Sequence, residues 1–319
     1  MTAFVILHYR AIDSTIKCVE SIKALKGDNK IIIVDNASPD DTGRQLQLKY
    51  AGEEGITILM NPENSGFARG NNFGVRWAWE HFSPDFTVVL NDDVEIFQED
   101  FSLRIQEIYD RRPFDLLGPD IVSVFSGIHQ SPKRMSGYDL DAVRRKMAYV
   151  RRSSNPILLL LSSGQKNSPA VWRYFQRRSR AKQNIDSASP AEGAVLHGAC
   201  VIFSRRYIER HPEPFYAKTF MYFEMEILEW LCRREGCVSI YEPSIQVQHY
   251  QYTATRLEYI SILRRSKFVI KCLYQSLEAA EALMLSAEPQ PAPMPQPAPE
   301  PMPQPELAFP PNYAAVMDS

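Results

Sequence analysis

The sequence has few cysteines, and none of them is arranged as a framework. Cys18, Cys200, Cys232, Cys237 and Cys272 contain no Cys-x-x-Cys pair, and their scatter suits neither a zinc site nor a set of disulfides. Such usage fits a reducing cytoplasm. No apolar run approaches the length that crosses a bilayer, and even the conspicuous one at residues 157–161 is far too short. The first seven residues pass straight into a strand-like segment, without the charged start, long apolar stretch and cleavage site of a secretory leader. A formal net charge of −2 gives no general attraction to polyanions, so any basic surface must be local and no nucleic-acid partner is expected. Also missing is a Gly-x-Gly-x-x-Gly after the first apolar run, which excludes the dinucleotide fingerprint. What the 319 residues do have is 45% hydrophobic content, enough to bury a full core in one large domain or two small ones.

Short apolar runs alternate with helical patterns along the first half. Residues 3–7 read as a buried parallel strand ending in His8-Tyr9-Arg10. Asp13 and Ser14 offer N-caps for a helix through about Leu25, with Ile16, Val19, Ile22 and Leu25 on one face and Gly27 as its stop. Residues 31–34, 56–60 and 86–90 read as three more strands, and an aromatic helix is expected over 67–81. The economical fold is α/β, a right-handed and mostly parallel sheet flanked by helices, whose post-strand loops share one rim. That rim gathers His8, Asp35, Asn64, Arg69 and the pair Asp92-Asp93.

Asp92 and Asp93 follow Val88-Val89-Leu90-Asn91 directly, so a buried strand delivers two carboxylates into a turn. Ligands collect at the carboxyl ends of parallel strands, and a hard divalent cation takes oxygen ligands beside the phosphates it neutralises. A metal and nucleotide site is therefore expected there, the rival being a plain N-cap for the next segment.

Val5-Ile6-Leu7-His8-Tyr9, Val34-Asp35-Asn36-Ala37-Ser38, Asn64-Ser65-Gly66-Phe67-Ala68-Arg69-Gly70-Asn71-Asn72 and Leu90-Asn91-Asp92-Asp93 together resemble the nucleotide-sugar half of a family 2 glycosyltransferase, of the kind that builds bacterial surface polysaccharides, rhamnosyltransferases among them. The resemblance covers most of the chain outside the middle insertion and the tail. It implies the glycosyltransferase A-type fold and a nucleotide-sugar site drawn from His8, Tyr9, Arg10, Asp35, Asn64, Gly66, Phe67, Arg69, Asn71, Asn91, Asp92, His197 and Gly198. Asp35 would contact the nucleobase, and the Gly66-Phe67-Ala68 segment would lie along the nucleotide. Asn91 stands where many relatives have Asp, which leaves Asp93 as the surer metal ligand. His249, closing Val247-Gln248-His249, would join the metal shell, and imidazole suits Mn²⁺ better than Mg²⁺.

In the second half, Val195-Leu196-His197-Gly198-Ala199-Cys200 leads into an apolar strand through Phe203 and resembles the segment beneath the donor sugar. His197 either faces the sugar or satisfies a backbone group, and Cys200 reads as buried rather than nucleophilic. Phe220-Met221-Tyr222-Phe223-Glu224-Met225-Glu226 opens a helix that stops near Gly236. Glycosyl transfer needs a base for the acceptor hydroxyl, and the resemblance implies one in this acidic cluster. Glu224 is favoured over Glu226, with the choice left open; carboxylates at a helix N-terminus also have a purely structural explanation. A last strand is expected over 237–241, a flexible lid over 252–256, and one or two helices over 257–285.

Between residues 133 and 182 stand thirteen Lys or Arg against only Asp139 and Asp141, with apolar clusters at 157–161 and 171–175. Peripheral contact with an anionic membrane, a nucleic-acid patch and a pair of solvated helices are rival explanations. From 289 to 305 every second residue is proline, which suits an extended, disordered spacer. The expected organisation is a glycosyltransferase domain over 1–286, divided into a nucleotide-sugar half (1–125), a basic insertion (126–190), an acceptor half (191–256) and C-terminal helices (257–286), then a tail over 287–319. The expected activity is inverting, metal-dependent transfer from a nucleoside diphosphate sugar to a hydroxyl of a surface-glycan or lipid-linked acceptor, in the cytoplasm or at the inner face of the plasma membrane. A nucleotidyltransferase, or a binding module that has lost turnover, is the alternative.

Overall fold

The computed structural model describes residues 1–153, 185–250 and 262–287, together with 174, 177, 178 and 181. The apolar cluster at 157–161, the expected lid at 252–256 and the proline-rich tail lie outside the described residues.

The first half follows the alternation seen in the sequence: β1 (Thr2–His8), α1 (Ile12–Lys23), β2 (Asn29–Asp35), α2 (Thr42–Lys49), β3 (Ile56–Met60), α3 (Gly66–Phe82) and β4 (Phe86–Asn91). β1 pairs in parallel with β2 and β4, and β2 with β3. β1 is buried on both faces. Phe4 and Ile6 pack with Val19, Ile22, Phe101 and Ile105 on one side, while Ala3 and Val5 pack with Ala68, Val75 and Ala78 of α3 on the other. This double coverage explains the unbroken apolar run in place of an alternating one. α3 approaches the sheet closely because Gly74 has no side chain; a Cβ there would stand 2.6 Å from Val5 Cγ1.

α1 departs from the expected start. It begins at Ile12 with Ala11 at the N-cap position, and Asp13 lies inside its first turn. Arg10, at φ +66°, turns the chain sharply enough for the helix to start before Asp13 and Ser14 could cap it.

The second half adds β5 (Val94–Glu95), α4 (Phe101–Arg111), β6 (Leu116–Ser123), α5 (Leu140–Ser153), β7 (Ala191–Glu192), β8 (Cys200–Ser204), α6 (Arg205–Arg210), α7 (Glu224–Glu235), β9 (Ser239–His249) and α8 (Ile262–Ser286). Among the described residues the sheet has nine strands, ordered β3-β2-β1-β4-β8-β6-β9-β5, with β7 also paired to β9. β8 runs antiparallel to both β4 and β6, and β5 and β7 run antiparallel to β9. The remaining six strands point one way. β9 continues to His249 where a last strand over 237–241 is expected from the sequence. Its register against β6 jumps from Pro119↔Glu242 to Asp120↔Gln246, so Pro243 falls in an irregularity that needs no ladder donor. A third apolar cluster joins α5, α7 and α8 through Val143, Val150, Ile227, Leu277 and Ala280.

Candidate active site

A cavity of about 410 Å³ opens where β1 and β4 end, bordered by the loop after β2. Asn36, which follows β2, organises its rim. Its carbonyl oxygen accepts from Asn61 Nδ2 (3.0 Å), the Ser65 N–H (3.1 Å) and Ser65 Oγ (3.2 Å), and its amide donates to Asn64 Oδ1 (3.0 Å) and Gly66 O (3.3 Å). One buried carboxamide thus fixes the whole turn into α3. Gly66 sits at φ +79°, and a Cβ on it would lie 2.2 Å from the Phe220 carbonyl oxygen. That same carbonyl accepts the Phe67 N–H at 2.6 Å, which fastens the start of α3 to the segment leading into α7.

The turn after β4 places Asn91, Asp92 and Asp93 along the floor. Burial, and then the neighbouring charge of Asp93, push the Asp92 carboxyl well above the usual carboxylate range, against hydrogen bonds from the Tyr9 backbone and Thr15. Asp93 is buried with no hydrogen bond to either carboxylate oxygen. Because Val94 pairs with His249 across β5 and β9, the imidazole comes beside it. His249 Nε2 lies 3.1 Å from Asp93 Oδ1, without the alignment of a hydrogen bond. Its Nδ1 donates to Gln130 Oε1 at 2.8 Å, which fixes the ring's orientation and leaves Nε2 on the carboxylate side.

Neither His249 Nε2 nor the Asp93 carboxylate has a hydrogen-bond partner here, an arrangement that a bound cation would complete. The oxygen and imidazole donors fit manganese. Among the described residues no group of three or more His, Cys, Asp or Glu is placed to hold a metal ion. His197 stands next to this pair, its ring 5.9 Å from that of His249. Its Nδ1 accepts the Ala199 N–H at 3.1 Å, which puts the proton on Nε2 and makes that atom a donor.

The α7 wall of the cavity begins with two successive left-handed residues, Tyr222 (φ +74°) and Phe223 (φ +73°). Backbone strain of this kind persists where packing holds it, and Phe223 is wedged edge-on against Tyr138 at 5.0 Å. The turn starts α7 at Glu224 and directs both acids at the cavity. Glu226 Oε1 pairs with Lys133 Nζ at 2.7 Å. Burial pulls the Lys133 ammonium down, but the Glu226 carboxylate outweighs it and the pKa ends above the ordinary value. Glu224 Oε1 has no partner, and burial, with the Glu226 charge adding to it, raises this carboxyl to about 7. Two acids two residues apart therefore differ: one has its own cation and the other is poised near neutrality.

Tyr9, Asn64, Gly66, Phe67, Asn91, Asp92, Asp93, His197, Gly198, Glu224 and Glu226 all line this one cavity, with His249 beside Asp93. Five residues expected at the donor site are outside its lining. His8 is wholly buried, with Nδ1 2.7 Å from Thr15 Oγ1 and Nε2 3.0 Å from Thr42 Oγ1, and burial lowers its pKa to about 4. Asp35 accepts the Ser38 N–H at 3.2 and 3.3 Å, Arg10 pairs with Asp40 at 3.4 Å, and Arg69 donates to the Ala217 carbonyl at 3.0 Å. Asn71 donates to Phe67 O at 2.9 Å within α3. Conversely, Asn36, Gln130, Lys133 and Phe268 belong to the site or its support and were not singled out. Lys133 is the first of the thirteen cations between residues 133 and 182; pairing of its backbone with Val195 carries it into the cavity.

A model of the family described as glycosyl transferase family 2 matches residues 3–211. The low-salt glycan biosynthesis hexosyltransferase Agl10 of Haloferax volcanii is 28% identical over 111 residues, covering 34% of each chain, so the match spans about a third of that curated relative's length. The crystal structure of S. aureus TarS residues 1–349 in complex with UDP is similar with a TM-score of 0.50 at 12% identity, over 89% of this chain and 70% of that one. TarS 1–349 in a second crystal structure gives 0.49 over the same shares. At that identity the likeness to TarS concerns the fold.

Proposed function

The chain belongs to glycosyl transferase family 2, and from that premise we propose that it moves a hexosyl or deoxyhexosyl group, with inversion, from a nucleoside diphosphate sugar to a hydroxyl of a surface-glycan acceptor. The observation that carries this reading is the presence in one cavity of two differently prepared acidic sites, Asp93 beside His249 and Glu224 beside the Glu226–Lys133 pair. TarS, which shares the fold, has been crystallised with UDP, and Agl10 is described as a hexosyltransferase of glycan biosynthesis; both support a sugar-nucleotide donor and a glycan acceptor.

Asp93 and His249 would hold the metal, manganese in preference to magnesium because of the imidazole. Bound there, the ion stabilises the charge that gathers on the departing diphosphate. The turn built on Asn36, with Gly66 and Phe67, orients the nucleotide along the rim. His197 presents its Nε2–H to the donor from below. Glu224 takes the proton of the acceptor hydroxyl while that oxygen attacks the anomeric carbon. The new C–O bond forms on the face opposite the diphosphate as the old one breaks, so the configuration inverts and no covalent enzyme intermediate is needed. A base is most effective when its pKa lies near the working pH, and a carboxyl raised to about 7 meets that condition. Lys133 acts as a positioning residue: it holds Glu226 in an ion pair, while Glu224 Oε1 has no hydrogen-bond partner.

Isothermal titration with a panel of UDP- and dTDP-sugars, each with and without manganese, tests the donor site. One sugar nucleotide should bind only in the presence of the metal. Absence of binding across the panel, or binding indifferent to manganese, sinks the assignment of Asp93 and His249.

A further inference from the structure

The basic residues that the sequence divides between the insertion and the C-terminal region meet on one surface. α5 carries five Lys or Arg against Asp141, and α8 carries four against Glu278 and Glu281, while the whole chain has a net charge of −2. The two helices pack antiparallel. Arg144, early in α5, pairs with Glu281, late in α8, at 2.7 Å. At the other end of the seam Arg151 lines a groove with Lys267 and Lys271. No acid occurs over 142–153 or 262–277, so positive charge concentrates at that end.

The seam is also shaped. Two grooves of about 570 and 580 Å³ run along it, sharing Arg151 and Tyr274, with apolar side chains such as Val150, Ile270 and Met147 between the cations. Tyr149, beside Val150, is 70% exposed. Glu278 and Glu281 also line the grooves, one in each, but three cations outnumber the acid in both, and cations around an apolar floor match the chemistry of a headgroup layer, where phosphates meet the cations and acyl carbons meet the floor.

We infer that the α5–α8 face docks on an anionic lipid surface. No described helix is long and apolar enough to cross a membrane, so the contact is peripheral. α8 ties this face to the cavity, since Phe268 lines the cavity while Lys267 and Lys271 line the outer groove. Docking would thus hold the cavity over the membrane and admit an acceptor presented there; that last consequence rests on the proposed transferase activity, whereas the docking itself does not.

The test is co-sedimentation of the full chain with vesicles of phosphatidylcholine alone or mixed with phosphatidylglycerol. Recovery is expected only with the anionic vesicles, falling as salt is raised. A cation near an anionic surface is worth roughly fivefold in affinity, so Arg151→Glu with Lys267→Glu and Lys271→Glu should weaken recovery by about 100-fold or more. The milder Lys267→Gln with Lys271→Gln should give a graded loss, which keeps the test valid if charge reversal prevents folding. No recovery with anionic vesicles, or recovery undiminished in the neutralised variant, overturns the inference. Tighter binding to a DNA duplex than to vesicles, lost in the same variant, overturns it in favour of a nucleic-acid surface. Sugar-nucleotide titration of the same samples separates the two proposals: vesicle binding without donor binding leaves the docking face standing and removes the transferase reading.

Discussion

The two walls of the cavity each carry a pair of acids, and they neutralise them by opposite means. On the wall after β4, Asp93 has no hydrogen bond and no Lys or Arg beside it, and the neighbouring His249 Nε2 has no hydrogen bond either. On the α7 wall, Glu226 already has Lys133, and burial raises the Glu224 carboxyl beside it to about 7. A wall that lacks its counter-charge is built to be completed by what binds. A wall that contains its counter-charge is built to keep one proton acceptor distinct from the other. Sequence spacing alone shows two acidic pairs and does not distinguish them; the difference lies in which residues from distant segments stand beside each.

The sharpest way to break this contrast is Glu224→Gln. If the α7 wall supplies the base, turnover measured by nucleotide release with acceptor should fall by about 10²–10⁴-fold while manganese-dependent donor binding stays intact. Retained turnover would move the base to Glu226. The other wall is probed through its support: Gln130→Leu frees the His249 ring and should weaken metal affinity by about 10–100-fold, read by manganese titration with no turnover required. An unchanged affinity would detach His249 from the metal.

Smaller effects sharpen the comparison. Glu224 must be ionised to act, so kcat should decline as pH falls below about 7. In Lys133→Met a positive charge that favours the Glu224 carboxylate is gone, and the acid limb of the pH profile should move to higher pH, with Lys133→Arg restoring it. A profile that ignores Lys133 would break the proposed division of labour. Stability should run against activity over the same window. The native Glu224 pKa lies above the ordinary 4.5, so the folded state binds that proton more tightly than the unfolded chain, and the protein should lose stability as pH rises from about 4.5 to 7. Glu224→Gln should flatten that slope in Tm against pH.

Much of this was legible in the residues. The strand and helix alternation of the first half follows from apolar runs buried on both faces, and Asp93, Glu224 and Glu226 stand where strand ends and a helix start deliver them. What was not legible depended on contacts across the fold. Strand direction has no local signature, so the reversal of β8 is invisible until Leu90 pairs with Cys200. His8 reads as a rim residue because it ends β1, yet Thr15 and Thr42 close over it. Lys133 looked like one cation among thirteen, and only pairing of its backbone with Val195 sets it apart. Asn36 lay inside a quoted motif, but its five hydrogen bonds depend on a loop nearly thirty residues away.

The connection between β6 and β8 has a consequence for how such a chain can change over time. These strands are neighbours in the sheet, although β6 ends at Ser123 and β8 begins at Cys200. The entropy of closing a loop rises only with the logarithm of its length, about 0.6 kcal/mol for each doubling. Once the two ends are anchored, extra residues between them barely disturb the sheet. Gln130, Lys133, His197 and Gly198 tie the two ends of this segment to the cavity, so it is between residues 139 and 190 that a lineage can add, trim or recharge chain at little cost to the sheet, altering what the surface meets while the chemistry beneath it is inherited unchanged.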